Sequence, residues 1–556
     1  MRFVCVLTLI VMGVVTVANS ANAADYIREL QSNAIEDGKA AFGHWGADPD
    51  NYKAWGSHSN RLIPVYAFGT LNAGDQIDLG SFQGANSQYR SEAQLRRIYG
   101  RLPSYTLDAN AEFLDQTNLF DIQMAALKAG KKYLFLVIFD GMDWQTTRAA
   151  AIYKSQKVAY SGGRGSGLHF LDYTAKGTTQ FGFMCTSPHN NGTNVDVNSQ
   201  TVLNPGGTMF GGYNIGLGGP NPWTPGSSPL YPISKNEGSP IVHAYTDSSS
   251  SATSMTTGIK TYNNAVNVDY AGQPVMTIAH WAQQRGYAVG AVSSVPISHA
   301  TPAAAYAHNV HRDDYQDLTR DMLGLKSISH PEKPLPGLDV VIGGGAGDIR
   351  LLDGKPSSSK NDHAGSNFVP GNAYLTDADL HSVDVQNGGK YVTAVRTQGV
   401  KGSEGLRSAA QRAAESGHRL LGFYGEGKSG GHLPFATADG DYRPTVGRGN
   451  VAEVYSEADL VENPTLSEMS AAAISVLSKN PAGFWLMVES GDVDWANHDN
   501  NIDNSIGAVL SGDLAVKTIT DWVEKHSNWN ESLLIVTADH GHYLVLEKPE
   551  LLIESR

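Results

Sequence analysis

The run Tyr133-Leu-Phe-Leu-Val-Ile-Phe-Asp140 decides the fold of this chain. An unbroken apolar run of this length is typical of a strand that is buried on both faces of a parallel sheet. Helical stretches, such as residues 302–311 and 504–525, separate it from several similar runs. Those runs are residues 288–292, 338–342, 420–424, 484–488 and 533–537. This alternation predicts an α/β fold, a three-layer sandwich around a large, mostly parallel central sheet.

Carboxylates follow three of the apolar runs. Asp140 ends the first run, Glu489 follows residue 488, and Asp539 comes two residues after residue 537. Ligands of open α/β sheets gather at the carboxyl ends of the strands. These three residues therefore stand where a binding site is expected.

Histidines accompany two carboxylates at spacings that suit a metal ion. His540 follows Asp539 directly, and Asp494 and His498 are four residues apart, so they share one face of a helical turn. Zinc binds imidazole nitrogen and carboxylate oxygen, and two metal ions about 4 Å apart assist phosphoryl transfer. Each residue also has an ordinary alternative, because an Asp at a strand end often caps a helix and a lone His more often packs in a core.

A small nucleophile stands in the string Thr246-Asp-Ser-Ser-Ser-Ser-Ala-Thr-Ser-Met-Thr-Thr-Gly-Ile-Lys-Thr-Tyr-Asn263. Ser248 follows the acidic Asp247, and a run of small residues continues to Gly258. A serine at the mouth of a helix lies where backbone N–H groups and the helix dipole favour an anion such as phosphate. A Ser/Thr-rich loop with an N-cap is the alternative interpretation.

Composition narrows the partners and the compartment. The 41 basic against 55 acidic residues give a net charge of -14, which argues against nucleic acid and requires a phosphate site to supply its own positive charge. Arg2, the apolar residues 3–17 and the small residues 21–23 predict a signal peptide over residues 1–23. We expect an exported protein, periplasmic or secreted, that does not span the membrane, with residues 24–556 as a single domain.

Other regions are less regular. Residues 62–68 predict a strand in which Pro64 marks an edge or a start, and residues 115–129 predict an amphipathic helix. Residues 153–240, rich in Gly, Asn and Pro, are interpreted as an insertion that covers the site, contacts a partner or is a loop without a role. Residues 350–450 are expected to be rich in loops.

Residues 246–263 resemble the nucleophile segment of alkaline phosphatases, and the other motifs match that family in type and internal spacing. The resemblance implies that Asp140, Asp539 and His540 bind the zinc that activates Ser248. Asp494 and His498 would be two of three ligands of a second zinc. The third metal, usually magnesium, would be bound by Asp140, Thr301 and Glu489.

The resemblance also implies roles around the metals. Arg312, further along the helix predicted from residue 302, resembles the family's phosphate-clasping arginine, and Asp247 resembles the acid that orients it. Two positions depart from the best-known bacterial member: His299 replaces Asp and Trp495 replaces Lys. An imidazole near the third metal favours zinc or cobalt over magnesium there.

The third ligand of the second zinc comes late in the family's sequence, but here a matching segment stands early. Residues 55–69 resemble the family's segment around that histidine, and residues 114–127 resemble its last helix. The chain is therefore interpreted as circularly permuted, with residues 24–130 as the family's C-terminal segment. The family's usual termini would be joined near residues 130–132, and the new termini would lie between His540 and His58. His58 is then the third ligand. His432 and His542 are rival candidates, although His542 better resembles a residue that contacts the metal ligands and not the metal itself.

These assignments predict a zinc-dependent phosphate monoester hydrolase that acts through a phosphoserine on small-molecule substrates and releases inorganic phosphate. A homodimer is left open. Alternatives are a related metallo-hydrolase of phosphodiesters or sulfate esters, and a non-catalytic exported protein that binds phosphate or metal.

Overall fold

A sheet of ten strands runs through the computed structural model, which describes residues 26–234, 243–350, 364–426 and 430–554. The predicted signal peptide lies outside the described residues. The strands in chain order are β1 Ile63–Phe68, β2 Leu114–Asp115, β3 Tyr133–Phe139, β4 Gln180–Cys185, β5 Ala288–Pro296, β6 Val340–Gly344, β7 Tyr391–Val395, β8 Arg419–Phe423, β9 Phe484–Ser490 and β10 Ser532–Thr537. All six apolar runs of the sequence form strands of this sheet, which confirms that prediction.

The spatial order is β7-β8-β6-β5-β9-β3-β10-β1-β4-β2. All pairs from β7 to β10 are parallel, whereas β1 is antiparallel to both of its neighbours, β10 and β4. Strands β3, β9 and β10 are almost entirely buried, which explains their continuous apolar sequences. The mostly parallel sheet is therefore confirmed.

Helices cover both faces of the sheet. The α-helices are α1 Tyr26–Asp37, α2 Glu92–Tyr99, α3 Thr117–Lys128, α4 Trp144–Ser155, α5 His169–Asp172, α6 Ile215–Gly218, α7 Ser248–Thr257, α8 Ile278–Gln283, α9 Ala300–Ala303, α10 Tyr315–Leu323, α11 Asp377–Val383, α12 Gly402–Ser416, α13 Glu457–Val461, α14 Leu466–Leu477, α15 Asp492–His498 and α16 Ile502–His526. Helices α12, α14 and α16 pack on one face, and α3, α8 and α9 pack on the other. The layers are helix, sheet, helix, as predicted. Among the described residues, no helix has both the length and the apolar character that crossing a bilayer requires.

The helix predicted over residues 302–311 is wrong. Helix α9 ends at Ala303, and the chain continues through turns. The Asn267 amide donates to the carbonyls of Ala304 and Ala307, and the Thr277 hydroxyl donates to that of Ala305. These side chains occupy carbonyls that a longer helix would use for its own N–H groups.

Three regional predictions also need correction. Strand β4 lies within 153–240, so that stretch contributes to the central sheet and is not only an insertion. Strands β7 and β8 with helix α12 make 350–450 more regular than expected. Pro64 is the second residue of β1, which agrees with a strand start, but β1 has neighbours on both sides and is not an edge.

Candidate metal centre and nucleophile

The strand register brings the predicted carboxylates to one edge of the sheet. Glu489 of β9 pairs with Ile138 of β3, which in turn pairs with Thr537 of β10. Asp140 and Asp539 each stand two residues beyond these pairs, at the carboxyl ends of their strands. Because β1 is antiparallel to β10, it begins at this same edge. The chain that leads into β1 therefore carries His58 to the strand ends.

Ser248 is the first residue of α7, and Asp247 is its N-cap. The Asp247 carboxylate accepts hydrogen bonds from the backbone N–H groups of Ser249 and Ser250. The buried Ser248 hydroxyl lies 3.2 Å from His540 Nε2 and 3.4 Å from Asp140 Oδ1. The predicted nucleophile thus lies at a helix mouth, in contact with the end of β3 and the residues after β10.

His58, Asp494 and His498 form the first cluster of ligand-type side chains. His58 Nε2 is 3.1 Å from His498 Nε2, and Asp494 Oδ1 is 3.6 Å and 3.5 Å from those two nitrogens. Zinc bonds of about 2.0–2.1 Å in tetrahedral geometry place neighbouring ligand atoms about 3.3 Å apart. The three observed separations match one face of such a tetrahedron.

Hydrogen bonds on the far side of each ring fix where the protons are. His58 Nδ1 faces the Thr246 carbonyl at 2.9 Å, and His498 Nδ1 faces the Gly56 carbonyl at 2.8 Å. Each Nδ1 must therefore donate, which leaves the Nε2 lone pair of each neutral ring directed at the other and at Asp494. This arrangement, a backbone acceptor behind each imidazole, is typical of metal-binding histidines.

Asp140, Asp539 and His540 form the second cluster. His540 Nε2 lies 3.3 Å from Asp140 Oδ1 and 3.4 Å from Asp539 Oδ2. Asp539 Oδ1 accepts backbone N–H groups, whereas its buried Oδ2 has no hydrogen-bond partner among the described residues. The Asp494 carboxylate is 3.9 Å from His540 Nε2, so the two clusters are adjacent.

A third group adjoins the second cluster. The Thr301 hydroxyl lies 3.5 Å from Asp140 Oδ2. Glu489 Oε2 accepts a hydrogen bond from Ser293, whereas the buried Oε1 has no hydrogen-bond partner among the described residues. Glu489 lies near both Thr301 and Asp140, because it interacts with the Thr301 side chain and with the Asp140 carboxylate. The three oxygen-bearing side chains predicted to hold the third metal are thus neighbours, and Glu489 has an unused acceptor.

Charge in this centre is unbalanced without a cation. Burial, with the charges of Asp539, Asp494 and Glu489, raises the pKa of Asp140 well above its usual range. Burial likewise raises the pKa of Asp539 to about 6 and that of Glu489 to about 8. Ionising these carboxylates is thus unfavourable unless positive charge lies beside them, as bound divalent ions would supply.

The imidazoles are held in their neutral, ligand form. Burial, and then the neighbouring His58, lower the pKa of His540 well below its usual range; burial and His498 do the same for His58. Burial alone would raise the pKa of Asp494, but the imidazoles of His498, His542 and His58 hold it well below the usual range. The donor set therefore fits divalent metal ions with nitrogen and oxygen ligands.

Arg312 lies beside the nucleophile in a turn and not in a helix. Its Nη1 donates to Asp247 Oδ2 at 3.0 Å, and its Nη2 lies 3.4 Å from His299 Nε2. Burial lowers the pKa of the guanidinium, but Asp247 outweighs that effect and raises it. A charged fork thus lies next to Ser248, where it can bind two oxygens of a phosphoryl group.

His299 and Trp495, the two positions that differ from the best-known bacterial member of the family, lie together. The rings of His299 and Trp495 are 5.7 Å apart at 66°, and Trp495 also packs at 5.0 Å from His432. His432 Nε2 lies 3.0 Å from Glu453 Oε2. His432, one rival for the third zinc ligand, thus belongs to this aromatic group and not to the cluster around Asp494.

His542, the other rival, does reach that cluster. Its Nε2 lies 2.6 Å from Asp494 Oδ1, a distance at which the imidazole donates a hydrogen bond to the carboxylate. A protonated Nε2 has no lone pair for a metal, whereas His58 Nε2 does. This difference favours His58 as ligand and His542 as the residue that orients Asp494.

Sequence reasoning missed the residues that hold Asp247. The Ser249 hydroxyl donates to Asp247 Oδ2 at 2.8 Å, and the Asn263 side chain accepts from the Asp247 N–H at 3.0 Å. Both stand in the quoted string 246–263, but only the fold shows that they orient the acid.

Comparison with known proteins gives a consistent result. The family model described as alkaline phosphatase matches residues 228–550. Alkaline phosphatase 4 of Bacillus subtilis is 29% identical over 53% of this chain and 49% of its own length. Alkaline phosphatase of Escherichia fergusonii is 31% identical over 58% of this chain and 62% of its own length. The chain thus spans 49% to 62% of the length of these relatives.

The chain also matches parts of solved structures, including the following two. A cold-active enzyme of this type from Shewanella sp. is 21% identical with a TM-score of 0.42, covering 74% of this chain and 68% of that chain. One from Thermus thermophilus is 22% identical with a TM-score of 0.42, covering 74% of this chain and 60% of that chain.

Proposed function

Since the chain belongs to the alkaline phosphatase family, we propose that it is a zinc-dependent phosphate monoester hydrolase that acts through a phosphoserine on Ser248. One observation carries the proposal. Two adjacent groups of neutral imidazoles and carboxylates meet beside a serine at a helix mouth, and their separations match tetrahedral zinc.

The metal sites follow from the donor sets. Asp140, Asp539 and His540 would hold one zinc; His58, Asp494 and His498 would hold the other. Bound zinc would supply Lewis-acid stabilisation of the attacking and leaving oxygens. Asp140, Thr301 and Glu489 would hold a third ion. Magnesium suits their oxygens, whereas zinc or cobalt would suit them if His299 also contributes.

The protein residues would act in two displacements. The Ser248 oxygen attacks phosphorus as the bond to the departing alcohol oxygen breaks, and the serine proton passes through solvent to that departing oxygen. Arg312, oriented by Asp247, binds the equatorial oxygens of the phosphoryl group, on which charge develops. Water then attacks the phosphoserine, breaking its O–P bond and releasing phosphate. Two inversions predict overall retention of configuration at phosphorus.

We further propose that the family's segment order is circularly permuted here. Two features support it: His58 approaches Asp494 and His498 from a segment that precedes β1, and α3 leads through Gly130 almost directly into β3. Removing His58 should weaken one zinc site selectively. The predicted signal peptide supports export.

Relative rates on three aryl esters test the substrate class. Purified, zinc-loaded protein should hydrolyse the phosphate monoester fastest. A monoester leaves three terminal phosphoryl oxygens for Arg312 and the metals, whereas a diester leaves only two and a sulfate ester carries one negative charge fewer. A faster rate on the diester or the sulfate would favour the related metallo-hydrolase. No hydrolysis of any ester by fully zinc-loaded protein would favour a binding protein.

A further inference from the structure

A second group of ligand-type residues lies away from the catalytic strand ends. It borders a cavity of about 750 Å³, whose lining includes His308 and His330. The same lining includes Tyr287, Asp339 and Arg419, which stand just before or at the start of β5, β6 and β8. In a parallel sheet these starts are at the edge opposite the carboxyl ends. The cavity is therefore separate from the centre around Ser248.

His308, Asp321 and His330 offer three donor atoms within 4.8 Å of one another. His308 Nδ1 lies 3.0 Å from His330 Nε2, which in turn lies 3.7 Å from Asp321 Oδ2. Both separations are near the spacing of about 3.3 Å between ligand atoms of tetrahedral zinc. The three residues come from the turn after α9, the end of α10 and the following loop.

Hydrogen bonds pre-orient these donors. His308 Nε2 donates to the Val275 carbonyl at 2.9 Å, so its Nδ1 carries the lone pair. The Ser327 hydroxyl donates to Asp321 Oδ1 and accepts from the His330 N–H, which joins the loop to the helix. Backbone and hydroxyl partners of this kind orient ligands at metal sites.

A fourth imidazole faces the same cavity. The His280 ring packs nearly parallel to that of His308, with centroids 5.2 Å apart. Its Nδ1 accepts the Thr277 N–H, so Nε2 carries the proton, and this buried Nε2 has no hydrogen-bond partner among the described residues. An unused donor beside the cluster would suit an anion or water on the open side of a metal.

We propose that His308, Asp321 and His330 form a further divalent transition-metal site, best suited to zinc, with its remaining position open to the cavity. Two nitrogens and one carboxylate oxygen are a donor set of zinc, and three protein ligands leave one position for water or an anion. The ion would tie the turn that leads to Arg312 to helix α10 and to the loop after it.

The competing explanation is a metal-free pair in which His330 Nε2–H donates to His308 Nδ1. The variant His330→Gln distinguishes the metal site from the metal-free pair, because the glutamine amide can keep that hydrogen bond but is a poor zinc ligand. His381→Gln is the matched control, since His381 is exposed on α11 and outside the cluster.

Crystals of the full chain, grown with zinc chloride, should show an anomalous peak at the zinc absorption edge between His308 Nδ1, His330 Nε2 and Asp321 Oδ2. The His330→Gln protein should bind one zinc fewer per chain in equilibrium dialysis, and the control should match wild type. Absence of the peak would overturn the proposal, as would equal zinc binding by His330→Gln and wild type. Peaks near Ser248 are a separate readout, so failure of either proposal is distinguishable.

Discussion

Replacing His58 by alanine should remove one zinc ion while leaving the other in place. His58 Nε2 lies 3.1 Å from His498 Nε2 and 3.6 Å from Asp494 Oδ1, so the change leaves two ligands of three. Loss of a group that only orients a ligand weakens metal binding about 10–100-fold. Loss of a ligand should therefore cost at least about 100-fold, which removes about 2.7 kcal/mol of zinc-linked stabilisation when zinc is in excess.

The assay compares zinc content after dialysis at limiting free zinc, and the zinc-dependent gain in unfolding free energy. His243→Ala is the control, because His243 is buried and bonded to Tyr231 but lies outside both clusters. The control should keep wild-type zinc content. If His58→Ala kept the same zinc and the same zinc-dependent gain as wild type, the ligand assignment and the permuted order would both be wrong.

Three further outcomes follow from the site and its surroundings. Arg312→Lys keeps the positive charge but loses the planar guanidinium that Asp247 orients. We expect kcat/KM for an aryl phosphate to fall about 10- to 100-fold, which is equivalent to the loss of one charged hydrogen bond. An unchanged kcat/KM would exclude a phosphate-binding role for Arg312. Glu489→Gln should lose the third ion with both zinc ions retained, as measured by elemental analysis; an unchanged content of that ion would contradict the assignment. Burial, and then Asp317, raise the pKa of Asp314 from 3.8 to about 7, so the native state binds more protons than the unfolded state in this window. Unfolding free energy should fall from pH 4 to 7 by up to about 1.4 kcal/mol per unit from this group. Asp314→Asn should reduce the dependence of the unfolding free energy on pH, as measured by denaturant titrations at several pH values. The same pH dependence in both proteins would refute the contribution of Asp314.

The buried strands were predictable because their apolar runs are local signals. β4 was not, since Gln180–Cys185 stands in a Gly- and Asn-rich region and owes its strand conformation to pairing with β1. The early end of α9 depends on Asn267 and Thr277, which reach its carbonyls from other segments. Such tertiary competition leaves no periodic trace in the sequence.

The candidate centre could be predicted from motifs because its ligands stand at or near strand ends. His58 needed the resemblance of residues 55–69, and the antiparallel β1 gives the physical reason for its position. The cluster of His308, Asp321 and His330 was not predicted, although the string 307–312 contains two histidines. Its members meet only because α10 and the next loop fold back on the turn after α9.

Transfer of a labelled phosphoryl group to the protein tests the central claim most directly. Wild-type protein mixed with a labelled aryl phosphate and quenched in acid should carry the label on the peptide that contains Ser248, and Ser248→Ala should carry none and lose most turnover. Label on a different residue, or near-normal turnover by Ser248→Ala with its metals retained, would contradict the account.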